Sequence, residues 1–182
     1  MGLRIDWIKS VVTVVPVTPV EVISEKALAA AGDYAVEDVL SESATDTVGS
    51  AFKFEHVARR NGGPFSIRKL VALLTTTALT PRLTLYLFTR SPSSELDDNA
   101  ANTAVATADR PFYVGRIELP AMTDLGGNSE AIATPDTGSN LPLEGVCHPA
   151  DDSLYGIAVT EDAVTGEAAA MRLIFKMLVR QD

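Results

Sequence analysis

The sequence predicts an all-β fold, a jelly-roll-like β-sandwich of about eight strands, on three observations. Apolar and polar residues alternate with strand periodicity in segment after segment, Gly, Pro, Asn and Asp clusters separate those segments at sandwich-like spacing, and helix signals are few. A chain of 182 residues with 46% apolar side chains can close one sizeable core, so a single domain suffices.

The first twenty residues read as an extended arm, because Val11-Val12-Thr13-Val14-Val15-Pro16-Val17-Thr18-Pro19-Val20 cannot run on as a helix past its prolines. Residues 21–182 are then the sandwich domain. Trp7, the single tryptophan, is read as an anchor that packs the arm onto the core or onto a neighbouring subunit, with sugar stacking as the alternative. Val11, Val12, Val14, Val15, Pro16 and Pro19 complete this candidate interface. Residues 20–31 fit a short helix capped by Ser24, with Gly32 past its end, although Val22 and Ile23 suit a strand equally well.

Strand periodicity begins in residues 51–60, where Phe52, Phe54 and His56 fall on one face and Lys53, Glu55 and Val57 on the other. Residues 66–77 form the next strand, ahead of a turn at Leu79-Thr80-Pro81. Residues 82–90 give Leu83, Leu85 and Leu87 to one face and Thr84, Tyr86 and Phe88 to the other, so both faces are expected to be covered. Within 112–119, Gly115 signals a bulge or a close backbone approach. The Gly- and Pro-rich stretch 123–145 has room only for short strands. Residues 153–160 and 168–180 close the chain as two strong strands, the last with Met171, Leu173, Phe175, Met177 and Val179 on one face.

The charge balance of 24 acidic against 15 basic residues, net −9, disfavours direct binding to nucleic acid or to an anionic membrane. No run approaches the roughly 18–20 apolar residues of a membrane span. The N-terminus lacks the pattern of a secretion signal, and the lone Cys147 cannot close an intrachain disulfide, so a soluble product made in a reducing compartment is expected.

Catalytic material is sparse, and no catalytic residue, cofactor or metal site is assigned. His56 lies on a strand face, and Cys147 and His148 are adjacent on an extended segment and so point to opposite sides, which argues against a thiolate–imidazole pair. Glu95, Asp97, Asp98 and Asn99, with Asp109 returning to the same place, are the best candidates for a calcium loop, but their spacing matches no dedicated one and a solvated acidic turn is the simpler reading. Asp151-Asp152 reads as a turn before a strand, and Gly62-Gly63-Pro64 as a tight turn without the Lys-Ser/Thr of a phosphate loop.

The stretch from Ser66 to Thr80, followed by Leu83-Thr-Leu-Tyr-Leu-Phe88, Ser91-Pro92, Asp98-Asn99-Ala100-Ala101, the run from Tyr113 to Met122 and Ser153-Leu-Tyr-Gly-Ile-Ala-Val159, resembles tailed-bacteriophage head decoration, or cement, proteins. The likeness covers roughly residues 50–182. It departs at Asn102 and Thr103, where the family pattern has an aromatic residue. The resemblance implies a jelly-roll subunit on the capsid exterior, assembled in the host cytoplasm as a homotrimer and bridging neighbouring major capsid protein subunits. A glycan-binding module using the 97–109 loop, and a tail or baseplate accessory protein, are the alternatives.

Overall fold

The computed structural model describes residues 19–29, 32–45, 48–75, 79–165 and 171–181. Among these, eleven strands run in chain order: β1 (Pro19–Ala27), β2 (Val39–Leu40), β3 (Phe52–Phe54), β4 (Pro64–Leu74), β5 (Leu83–Phe88), β6 (Tyr113–Glu118), β7 (Thr123–Asp124), β8 (Ser129–Ala133), β9 (Leu143–Val146), β10 (Leu154–Thr160) and β11 (Arg172–Gln181). Two antiparallel sheets pack face to face as a β-sandwich. One has the order β1-β11-β4-β8-β7 with β9 also on β4, and the other β2-β10-β5-β6 with β3 also on β10. No helix among the described residues is long and apolar enough to cross a membrane.

The strand order follows from nested pairing. β1 pairs with β11, β2 and β3 with β10, β4 with β8, and β5 with β6, so the chain doubles back on itself as one long antiparallel ribbon. Rolling that ribbon brings β11 against β4 and β10 against β5, which closes the two sheets. That is a jelly roll. It has eight strand positions, because β2 and β3 share one, β9 shares the side of β4 with β8, and β7 extends the sheet edge.

Alternation decides what lies between the sheets. β11 sends Leu173, Phe175, Met177 and Val179 inward, β4 sends Phe65, Ile67, Leu70, Ala72 and Leu74, and β5 sends Leu83, Leu85 and Leu87, all at most 2% exposed. Phe175 bridges the layers: its ring meets Phe52 edge-on at 5.1 Å and Phe54 at 6.4 Å. Gly115, at φ +155°, sits where β6 slips register against β5, and the Cδ1 of Leu143 lies 2.8 Å from where a Cβ would stand. The bulge and the close approach expected of this glycine are both present.

Both faces of β5 are covered, as its pattern predicts. Phe88 on its outer face joins Val39, Ile157 and Val159 in a second cluster, and Tyr86, Leu96, Ala104 and Val105 pack on it. The lid over this sheet is therefore the chain's own segment between β5 and β6.

Three expectations need correction. The described part of the 20–31 segment is not a helix: β1 runs through Ala27, because pairing along its full length with β11 outweighs the weak local helix signals. Strand geometry in 51–60 ends at Phe54, and Glu55-His56 turns, His56 at φ +58°. His56 thus leaves the face of Phe52 and Phe54 and points to solvent, while Val57 is buried. β1 also starts at Pro19, so Pro19 and Val20 of the segment read as an arm belong to the sheet.

Truncating Phe175→Ala removes the ring that links the layers and leaves a cavity at the centre of the core, at a cost of about 3–5 kcal/mol. Urea unfolding followed by circular dichroism should show a correspondingly lower midpoint with little change in slope.

Candidate functional site

The acidic loop is a brace. Asp109 accepts four hydrogen bonds, from the backbone N–H and hydroxyl of Ser93 (2.8 and 2.9 Å) and of Ser94 (2.8 and 2.6 Å). Although burial opposes it, these bonds hold the Asp109 carboxyl below its ordinary value. Asp98 accepts the Tyr34 hydroxyl at 3.0 Å and the Ser41 amide at 2.7 Å, Asp97 takes the Gly49 amide at 2.9 Å, and Glu95 takes the amides of Leu96 and Asp97. Each carboxylate serves donors of the chain itself. Among the described residues no group of three or more His, Cys, Asp or Glu side chains is arranged to hold a metal ion.

The remaining titratable candidates separate in the same way. Cys147 is buried, and burial first, then the charges of Asp152 and Asp151, push its thiol up to about 12. His148 turns its ring edge toward Phe112 at 6.2 Å and accepts the Ala150 amide at 3.2 Å. The exposed His56 ring lies 2.9 Å from Asp152, whose carboxylate raises its pKa. Tyr155 donates to Asp151 at 2.8 Å across the turn before β10, and Gly62, at φ +67°, makes the tight turn expected there.

Trp7, Val11, Val12, Val14, Val15 and Pro16 of the candidate interface lie outside the described residues. Pro19 stands exposed at the head of β1.

A surface that the sequence reading passed over is the outer face of the six-stranded sheet. Register places its side chains on a grid across β1, β11, β4 and β8. One row reads Glu25, Ile174, Leu73, Glu130, the next Ile23, Lys176, Val71, Ile132, and the third Glu21, Leu178, Lys69 on the first three strands. Six aliphatic side chains thus share one face, Ile23 51% exposed and the others half-buried, and the five half-buried ones belong to neither buried cluster. With strands ~4.8 Å apart and same-face residues ~6.8 Å apart, the grid covers roughly 400 Å². Six of its eleven positions are aliphatic, so its apolar part is about half of that, below the roughly 300–600 Å² of the largest apolar patch on a typical monomer. Lys176, in the middle row, and Lys69, at the end of the third, have no ion-pair partner among the described residues, whereas Glu25 holds Arg172 at 2.6 Å on the rim. The signal was present in the two-faced alternation of β11, but it becomes a surface only when four distant strands are put in register.

Lys26 joins β1 to the corner of the roll. It donates to the Glu42 carboxylate and to Ser50, at 2.9 Å to the Ser50 hydroxyl, and lies over the Phe52 ring at 5.1 Å. Burial lowers the pKa of Lys26. Burial would also raise that of Glu42, but hydrogen bonds from Lys26, Ser50 and Ser41 outweigh it and hold the carboxyl at about 2. A depressed carboxylate adds stability above its unfolded value near 4.5 and loses it as pH falls toward about 2. Unfolding midpoints should therefore drop between pH 5 and pH 2 as this bridge protonates, and Glu42→Gln should be less stable at pH 7 and flatten that part of the profile.

Comparison with protein-family models, with curated proteins and with solved structures finds no match for this chain, so its reading rests on its own residues.

Proposed function

We propose that the protein is a structural, non-enzymatic virion subunit that decorates a bacteriophage capsid and reinforces it by bridging major capsid protein subunits. The observation that carries this reading is the roll with one outer face closed by its own loop and the other, among the described residues, left as a sheet face of mixed aliphatic and charged side chains. The ordered motifs between Ser66 and Val159 that resemble cement proteins supply the identity of the partner. Jelly rolls also build lectin domains, so the fold is compatible with the reading without requiring it. In this proposal the subunit acts on the capsid exterior as a homotrimer and needs no cofactor.

Reinforcement follows from linkage. A ligand that binds the assembled shell better than its separated parts shifts the equilibrium toward the shell. Three linked subunits multiply weak contacts through effective concentration, so each patch can be modest in area. The net charge of −9 also makes direct contact with packaged nucleic acid unfavourable.

Capsids mixed with the protein should survive heating or chelation that disrupts bare capsids, with the protein visible on the exterior by electron microscopy. Absence of binding to assembled shells would sink the proposal. A glycan array run with and without calcium separates the lectin alternative, which requires specific sugar binding. Removing residues 1–18, which stops short of β1, should weaken shell binding severalfold and leave the circular dichroism spectrum unchanged.

A further inference from the structure

Alternation along β5 sets Thr84 and Tyr86 on the outer face of the five-stranded sheet, and register places Glu118 and Arg116 beside them on β6. Over these residues the face forms a groove of about 360 Å³, with Glu37 and Glu161 at the β10 side and Thr137 and Gly138 at the β6 side. Thr84 lies in its lining and is 2% exposed. Eight serine and threonine residues are buried among the described residues, and seven of them donate to an oxygen or sulfur of the chain. Thr84 alone has no hydrogen-bond partner among the described residues. A buried hydroxyl without a partner costs stability, and Thr84 borders the place where a ligand can supply one. The groups around it are of both kinds. Arg116 donates through Nε to one oxygen of Glu118 at 2.9 Å and holds Nη2 2.7 Å from the same oxygen, so the second Glu118 oxygen is left for another donor. Arg82 is held by both oxygens of Asp162. The Tyr86 phenol makes no hydrogen bond among the described residues, and Glu37 and Glu161 form no ion pair there.

We propose that this groove binds a neutral saccharide. Each sugar hydroxyl both donates and accepts, so its site must set donors beside acceptors, as the guanidinium–carboxylate pairs, the phenol and the Thr84 hydroxyl do here. Charge narrows the class further. Glu37, Glu118 and Glu161 line the groove against Arg82 and Arg116, and each arginine already holds an acid, so a phosphate, a sulfate or an acidic sugar meets net repulsion. An ammonium ligand would meet the remaining N–H groups of Arg116 as like charge. The volume falls in the lower part of the roughly 300–1,000 Å³ range of small-molecule sites. This site goes beyond the decoration role, lies apart from the 97–109 loop of the lectin alternative, and calls for no calcium.

A glycan array probed with the full chain in the presence of a chelator should retain neutral oligosaccharides, with their sialylated counterparts bound no better. Titration with the best-retained neutral oligosaccharide should show affinity about tenfold weaker for Thr84→Val, and weaker also for Tyr86→Phe, each of which removes only a hydroxyl group's bonding. Thermal unfolding gives a second readout. Thr84→Val should melt higher than the unaltered chain, because it removes an unpaired buried hydroxyl, whereas loss of a hydroxyl that bonds within the fold would lower the midpoint. The inference is overturned if no neutral sugar is retained, if Thr84→Val binds as well as the unaltered chain, or if it melts lower. Retention of sialylated glycans or a lysine-rich peptide alone overturns it too. Sugar binding that needs calcium and survives Thr84→Val belongs to the 97–109 loop, which also overturns it. Shell binding is read separately: a Thr84→Val variant that loses its sugar and still reinforces capsids leaves both roles standing, and a chain that binds sugar in this groove but ignores capsids refutes only the decoration role.

Discussion

The contact of Phe175 with Phe52 and Phe54 is where the two layers of the roll become one structure. Phe175 lies on β11, which is paired on both sides, with β1 and with β4, and cannot shift by one residue without turning Leu173, Phe175, Met177 and Val179 out of the core. Fixing β11 fixes the register of β1 and β4, and β4 in turn fixes β8 and β9. The outer face inherits the same constraint. Most residues of the open grid are where they are because a neighbour along the strand is buried.

Most of the strands were legible because their period is two and their neighbours are turn formers. β4, β5, β6, β10 and β11 fall where alternation put them, and the Gly- and Pro-rich stretch after β6 does contain only the short β7, β8 and β9. β1 was ambiguous because Val22 and Ile23 serve either structure, and what settles it is nine residues of pairing with a strand about 150 positions later. β2 was not legible at all, since two residues carry no period and Val39-Leu40 is a strand only by virtue of β10.

The same non-locality explains why the acidic loop looked like a candidate site. In sequence, Glu95, Asp97, Asp98 and Asp109 are oxygen ligands in search of a cation. In the fold, the donors that satisfy Asp98 come from Tyr34 and Ser41, 64 and 57 residues away. Buried carboxylates tolerate desolvation only when hydrogen bonds replace water, and here the chain provides them. The cluster pins the 89–109 segment over the five-stranded sheet, which in turn buries Phe88, Ile157 and Val159. Acids that suggested chemistry are what closes one outer face.

The two outer faces therefore meet solvent under different terms. An aliphatic sheet face open to water is an association hazard unless charges are set into it. Lys69, Lys176, Glu21, Glu25 and Glu130 are interleaved with the six aliphatic side chains, and the net charge of −9 adds general repulsion between copies. These charges do more than keep the face soluble. A partner that lacks carboxylates opposite the lysines must desolvate two ammonium groups that have no ion-pair partner among the described residues, a cost of about several kcal/mol, whereas one that supplies them offsets part of that cost. The face thus disfavours indiscriminate apolar contact, and a surface that seats on it must bring carboxylates as well as aliphatic side chains.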